Sequence, residues 1–148
     1  MKRLILALSA LTIPFIASVS PAEATKLPCP QYHALMKKHG LPIREMSWIM
    51  ARESNCQRKA VGWNYHRGKS HLDCKSGAFH KHRQCAAVRS WDMGLFQINS
   101  QTWDDLTLQL CGASVKSRTL LDASCNVKVA GAIYERYGLT PWKGNSNG

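Results

Sequence analysis

The run Trp91-Asp92-Met93-Gly94-Leu95-Phe96-Gln97-Ile98-Asn99-Ser100 decides how the chain is read. It sets one carboxyl group and two side-chain amides among apolar residues. Trp91-Asp92-Met93-Gly94 reads as a turn, where an aspartate ordinarily caps its own backbone. Gln97 and Asn99 stand two apart, so an extended segment would aim both amides to one face. That face suits hydroxyl and N-acetyl groups. A helix is expected next, around Gln101–Leu110.

Outward from this run the chain has helical periodicity. Tyr32, Leu35, Met36 and His39 recur at helical spacing over residues 29–39, and Gly40 is a stop signal. Pro42 starts a second helix, since a first-turn N–H would have no partner anyway. Ile43, Met46, Ile49 and Met50 form its apolar face, and it reaches about Ser54. A last helix fits Cys125–Tyr137, with Val127, Ala130, Ile133, Tyr134 and Tyr137 at steps of three and four, and Gly138 as its cap.

The second helix carries Glu53 at its C-terminal end. A glutamate there is ordinarily a solvated surface residue. This one follows Trp48, Ile49, Met50 and Ala51, and both apolar burial and the negative helix pole would favour the neutral acid. A general acid must be a carboxyl group that keeps its proton near neutral pH.

Residues 56–90 differ from the rest. They hold eight Lys/Arg and four His against the single acid Asp73, and Gly62, Gly68 and Gly77 interrupt any period. This is a basic, loop-rich insertion with room for a β-hairpin. The six cysteines are Cys29, Cys56, Cys74, Cys85, Cys111 and Cys125. An even count suggests disulfides in an oxidising compartment, with 15 pairings open. Proximity along the chain would join Cys29–Cys56, Cys74–Cys85 and Cys111–Cys125. Cys74, His80, His82 and Cys85 also cluster, but their C-x5-H-x-H-x2-C spacing matches no common zinc pattern, and no metal is expected.

The whole chain has 148 residues, 45% of them hydrophobic and 20% charged, which suits one domain and excludes a disordered or repetitive protein. Met1-Lys2-Arg3, the apolar run Leu4–Ile16 and Ala22-Glu23-Ala24 have the form of a signal peptide with cleavage after Ala24. The domain is then 25–148, in a secreted or periplasmic protein. Removing Lys2, Arg3 and Glu23 leaves 18 basic and 8 acidic residues, a net charge of +10. Such a charge draws anionic wall polymers. It would draw nucleic acid too, but no nucleic-acid-binding motif accompanies it, so that role is not expected.

Three motifs in order resemble the lysozyme-like superfamily. They are Ala51-Arg52-Glu53-Ser54, the run 91–100, and Asn126-Val127-Lys128-Val129-Ala130-Gly131-Ala132-Ile133-Tyr134. The likeness covers roughly residues 29–142 and is nearest to the soluble lytic transglycosylase (SLT) type domain. The Asp-x-Gly-x-x-Gln-Ile-Asn-Ser run is also similar to chicken-type lysozymes. The chain departs from many SLT domains in lacking an Ala-Tyr-Asn-x-Gly motif after the last helix, where it has Pro141-Trp142 and a short polar tail.

The resemblance implies a mainly α, lysozyme-like α+β fold with a cleft for the glycan strands of peptidoglycan, acting as a monomer without a cofactor. It implies Glu53 as catalytic acid and Asp92 as second carboxylate, lysozyme being the reference case for two carboxyl groups with separate roles. Gln97, Asn99 and Tyr134 are the implied substrate-binding residues. Lysozymes hydrolyse the bond between N-acetylmuramic acid and N-acetylglucosamine. Lytic transglycosylases commonly use one Glu and leave a 1,6-anhydro end. Trp63, Trp91, Trp103 and Trp142 could also stack on sugars, whereas Trp48 and Trp103 fit helices as core residues. The competing reading is a non-catalytic cationic glycan-binding or antimicrobial protein on the same scaffold, since fold does not fix function.

Overall fold

A computed structural model describes residues 26–74 and 85–144. The expected signal peptide, His80, His82 and the last four residues lie outside them. After a 3-10 turn at Pro30–Tyr32 come helices α1 (His33–Lys38) and α2 (Ile43–Ser54). Strands β1 (Val61–Tyr65), β2 (Val88–Met93) and β3 (Ile98–Asn99) follow, then helices α3 (Asp104–Cys111) and α4 (Ala123–Tyr137). The result is an α+β domain with one three-stranded antiparallel sheet in the order β1-β2-β3.

Both long helices form where the apolar period places them. On α2, Met46 and Met50 are fully buried and Ile43 and Ile49 pack against the core. Pro42 is its N-cap, and Asn55 ends it in the left-handed conformation at φ 51°. On α4, Val127, Ala130 and Ile133 are buried, and Asp122 Oδ1 accepts a hydrogen bond from the Cys125 N–H at 3.0 Å to cap the start. These stripes close over Phe96, Leu95, Met93, Met36 and Leu120, all fully buried. Each such side chain contributes about 1.5–3 kcal/mol of apolar burial.

Two expectations about this framework need correction. Residues 91–93 form the end of β2 rather than a turn, because Trp91 pairs with Trp63, Asp92 with Gly62 and Met93 with Val61. The turn starts one residue later, at Gly94 (φ 75°), and the expected helix at 101 begins only at Asp104. Trp48 does not fill core: it is 55% exposed. It lies ~200° around the helix from both Met46 and Met50, on the opposite face.

The disulfides are Cys29–Cys56, Cys74–Cys85 and Cys111–Cys125, the proximity pairing. Three such bonds suit an oxidising compartment. Cys74 and Cys85 are therefore not free thiolates for a metal. Among the described residues, no His/Cys/Asp/Glu cluster is placed to hold one, and no helix is long and apolar enough to cross a membrane.

Candidate active-site cleft

Position 92 owes its surroundings to sheet register. Asp92 lies directly opposite Asn99 on β3, while Ser90, two residues earlier on the same face, lies opposite Asn64 on β1. The period of two thus gathers Asn64, Ser90, Asp92 and Asn99 on one face of the sheet. Asn64 Nδ2 donates to Asp92 Oδ2 at 2.8 Å and Asn99 Nδ2 donates to Asp92 Oδ1 at 2.7 Å. Both amides also reach Ser90 Oγ, at 3.2 and 3.1 Å. The Asp92 carboxylate is therefore held at both oxygens by neutral side chains from neighbouring strands. It is no Asx-turn cap.

Asn99 is a positioning residue for Asp92 before it is anything else. Its Oδ1 accepts from the Gln101 and Thr102 N–H groups and from Thr102 Oγ1, which fixes the residues before α3 in a turn. Gln97 departs from the extended geometry expected of it. It sits in the turn with φ 46°, and its Nε2 donates inward to the carbonyls of Gly94 (2.9 Å) and Ala60 (3.3 Å).

That turn is fixed from behind by Asn126 on α4, a fully buried side chain. Asn126 Oδ1 accepts from the Phe96 N–H at 3.0 Å, and Nδ2 donates to the carbonyls of Met93 and Leu120, each at 2.9 Å. Position 94 must be glycine for two reasons. Its φ is positive, and a Cβ there would lie 2.2 Å from Asn126 Nδ2 and from Leu120 O.

Glu53 reaches the same place from α2. The structure puts the Glu53 and Asp92 side chains on one cleft of about 460 Å³, lined also by Arg52, Gln97, Asn99, Trp103 and Trp142. The apolar burial expected for Glu53 is not what surrounds it. Its side chain is 26% exposed, and Oε1 takes hydrogen bonds from Arg52 Nε (3.0 Å) and Nη2 (2.6 Å). Among the described residues Oε2 accepts none. Arg52 Nη2 also donates to the Trp142 carbonyl.

Trp103 belongs to this wall as well, half-buried, packed against the core and tilted against Tyr137 with ring centroids 5.6 Å apart. Pro141, Trp142 and Gly144 complete the lining. The Trp142 indole N–H donates to the Phe96 carbonyl at 3.1 Å, and its ring lies 5.9 Å from that of Phe96. Trp63 and Trp91 instead pair across β1 and β2, 6.2 Å apart.

Tyr134 does not reach the cleft. It lines a separate cavity with His39, Gly40, Leu110, Lys128 and Glu135. Burial first, then the charges of Lys38 and Lys128, hold the His39 imidazole below the ordinary histidine value. Sequence reasoning missed Asn64, Ser90, Asn126 and Arg52. Local signals existed for Arg52, beside Glu53, and for Asn126, which opens the third motif; Asn64 and Ser90 had none.

No protein-family model, curated protein or solved structure matches the chain.

Proposed function

We propose that the protein cleaves peptidoglycan glycan strands at the β-1,4 bond between N-acetylmuramic acid and N-acetylglucosamine, as an exported monomeric enzyme on a lysozyme-like fold. The observation that carries this reading is the meeting of Glu53 and Asp92, 39 positions apart, on one aromatic-walled cleft. Paired carboxyl groups of unlike surroundings are what glycosidic cleavage uses. Glu53, with one oxygen open, protonates the leaving glycosidic oxygen and in the second step takes a proton from the attacking water. Asp92, oriented at both oxygens by Asn64 and Asn99, faces the positive charge that develops at the sugar, or bonds to it covalently. Trp103 offers apolar surface to sugar rings at the cleft wall. Carboxyl chemistry of this kind requires no cofactor.

The test is mass spectrometry of fragments released from purified peptidoglycan by the oxidised protein, beside Glu53→Gln. Reducing muramic ends from the wild type alone are the expected result. Anhydro ends from the wild type alone would keep Glu53 as the acid and make the enzyme a lytic transglycosylase. Full activity of a natively folded Glu53→Gln refutes the assignment. No product from either protein, on a substrate that a known muramidase cuts, favours the cationic binding protein.

A further inference from the structure

Arg52 is more than half exposed, yet its guanidinium is fixed at three points. Nε and Nη2 both point at Glu53 Oε1, and Nη2 also holds the backbone carbonyl of Trp142, 90 positions away. That carbonyl is itself fixed. Trp142 is buried, its ring packs against Phe96, and its indole N–H is bonded to the Phe96 carbonyl. The chain from Glu53 through Arg52 to Trp142 and Phe96 therefore ends in the core. An exposed pair of neighbours on a helix normally contributes little and samples many geometries. Here a core-anchored carbonyl selects one of them.

We infer that Arg52 is the positioning residue for the acid, and that the 140–142 turn is its anchor. The inference rests on the reading of Glu53 as the acid. Arg52 engages Oε1 only and leaves Oε2 without a donor among the described residues. Two donors on one oxygen fix the carboxyl plane as well as its place. The planar fork makes this possible, since an ammonium group is a single point charge with no such geometry. Without the fork Glu53 keeps its cleft but loses its one orientation. Misplacing a reacting group by about 1 Å costs on the order of 100-fold in rate.

The experiment measures kcat and KM for cleavage of a soluble peptidoglycan tetrasaccharide by wild type, Arg52→Ala, Arg52→Lys and Glu53→Gln. Arg52→Ala is expected to lose roughly 10- to 100-fold in kcat, with KM changed by less than about threefold. Arg52→Lys should regain only part of this, and millimolar guanidinium should partly restore Arg52→Ala, which a merely structural role would not allow. Near-UV circular dichroism checks the fold. Should Arg52→Ala not fold, Arg52→Met keeps the apolar stem and carries the same expectation. A folded Arg52→Ala or Arg52→Met with kcat within twofold of wild type overturns the inference while Glu53→Gln is inactive. Loss through KM alone, or no response to guanidinium, overturns it as well. An active Glu53→Gln removes the underlying reading of the acid, and with it this inference.

Discussion

Replacing Asn126 by leucine removes three hydrogen bonds while keeping the branched side-chain skeleton, and the cost of the lost bonds can be worked from the structure. The Phe96 N–H and the carbonyls of Met93 and Leu120 each lose a partner inside the core. An unsatisfied buried polar group costs about 1–3 kcal/mol, which for three gives roughly 3–9 kcal/mol. Backbone relaxation trims this towards the lower half, about 4 kcal/mol. That is a large share of a stability of ~5–15 kcal/mol. The assay is urea unfolding followed by tryptophan fluorescence. With a slope of about 1.5 kcal/mol per M, the midpoint should fall by between ~2 and ~3 M. Gly94→Ala strikes the same contact from the other side, since its Cβ would meet Asn126 Nδ2 and Leu120 O, and should be comparably damaging. A loss below about 1 kcal/mol for Asn126→Leu would refute the view that Asn126 holds the 94–97 turn.

Other consequences can be measured separately. His39 should titrate below the ordinary value of 6.5 in an NMR pH series. The unfolded chain then takes up a proton that the native state resists. Its contribution to stability is therefore full above pH ~6.5 and is lost as pH falls from there through the lower folded value; His39→Gln should flatten that slope in urea melts. Replacing both Cys29 and Cys56 by alanine opens a link of 27 positions, and should cost roughly 3.5 kcal/mol on the chain-entropy estimate. The same pair ties the N-terminal segment to the end of α2, so peptidoglycan cleavage should fall in the folded variant too. Tyr134→Phe should leave cleavage rates within twofold of wild type, because the side chain lines the His39 cavity rather than the cleft. A tenfold loss would instead bring Tyr134 into substrate binding.

The parts of this fold that were legible in the sequence are those set by local rules. The α2 stripe at Met46 and Met50 and the α4 stripe at Val127, Ala130 and Ile133 follow the helical period, and the cap at Gly138 agrees with it. The same rule properly applied places Trp48 away from the core, so that error lay in weighing residue type above position. The disulfides joined nearest neighbours, the case in which proximity is a guide. Strand β2 was not legible, because Asp-x-Gly is a strong local turn signal while the pairing of residues 88–93 with 61–65 is not local. The site followed the same division. Glu53 and Asp92 stand out by sequence setting, but Asn64 and Ser90 join Asp92 only through register. Gln97 lines the cleft from a left-handed turn rather than from the extended segment expected, because backbone turn geometry is not readable from a period of two.

The hold on Asp92 bears on which reaction the cleft runs. Asn64, Ser90 and Asn99 place every polar side chain of that sheet face around one carboxylate. As a device for locking three strands this is poor design, since apolar or β-branched cross-strand pairs would stabilise the sheet without confining a charge. As a device for presenting a carboxylate it is apt. Neutral amides orient the group at both oxygens and bring no countercharge to it. A developing oxocarbenium centre would meet a fixed charge that need not reorganise as the bond breaks. Hydrolysis in the lysozyme manner uses such a group. Intramolecular transglycosylation, in which the substrate's own N-acetyl group assists, does not require it. Under the proposed function, the reducing ends expected in the fragment analysis follow from this group rather than from Glu53, which both reactions share.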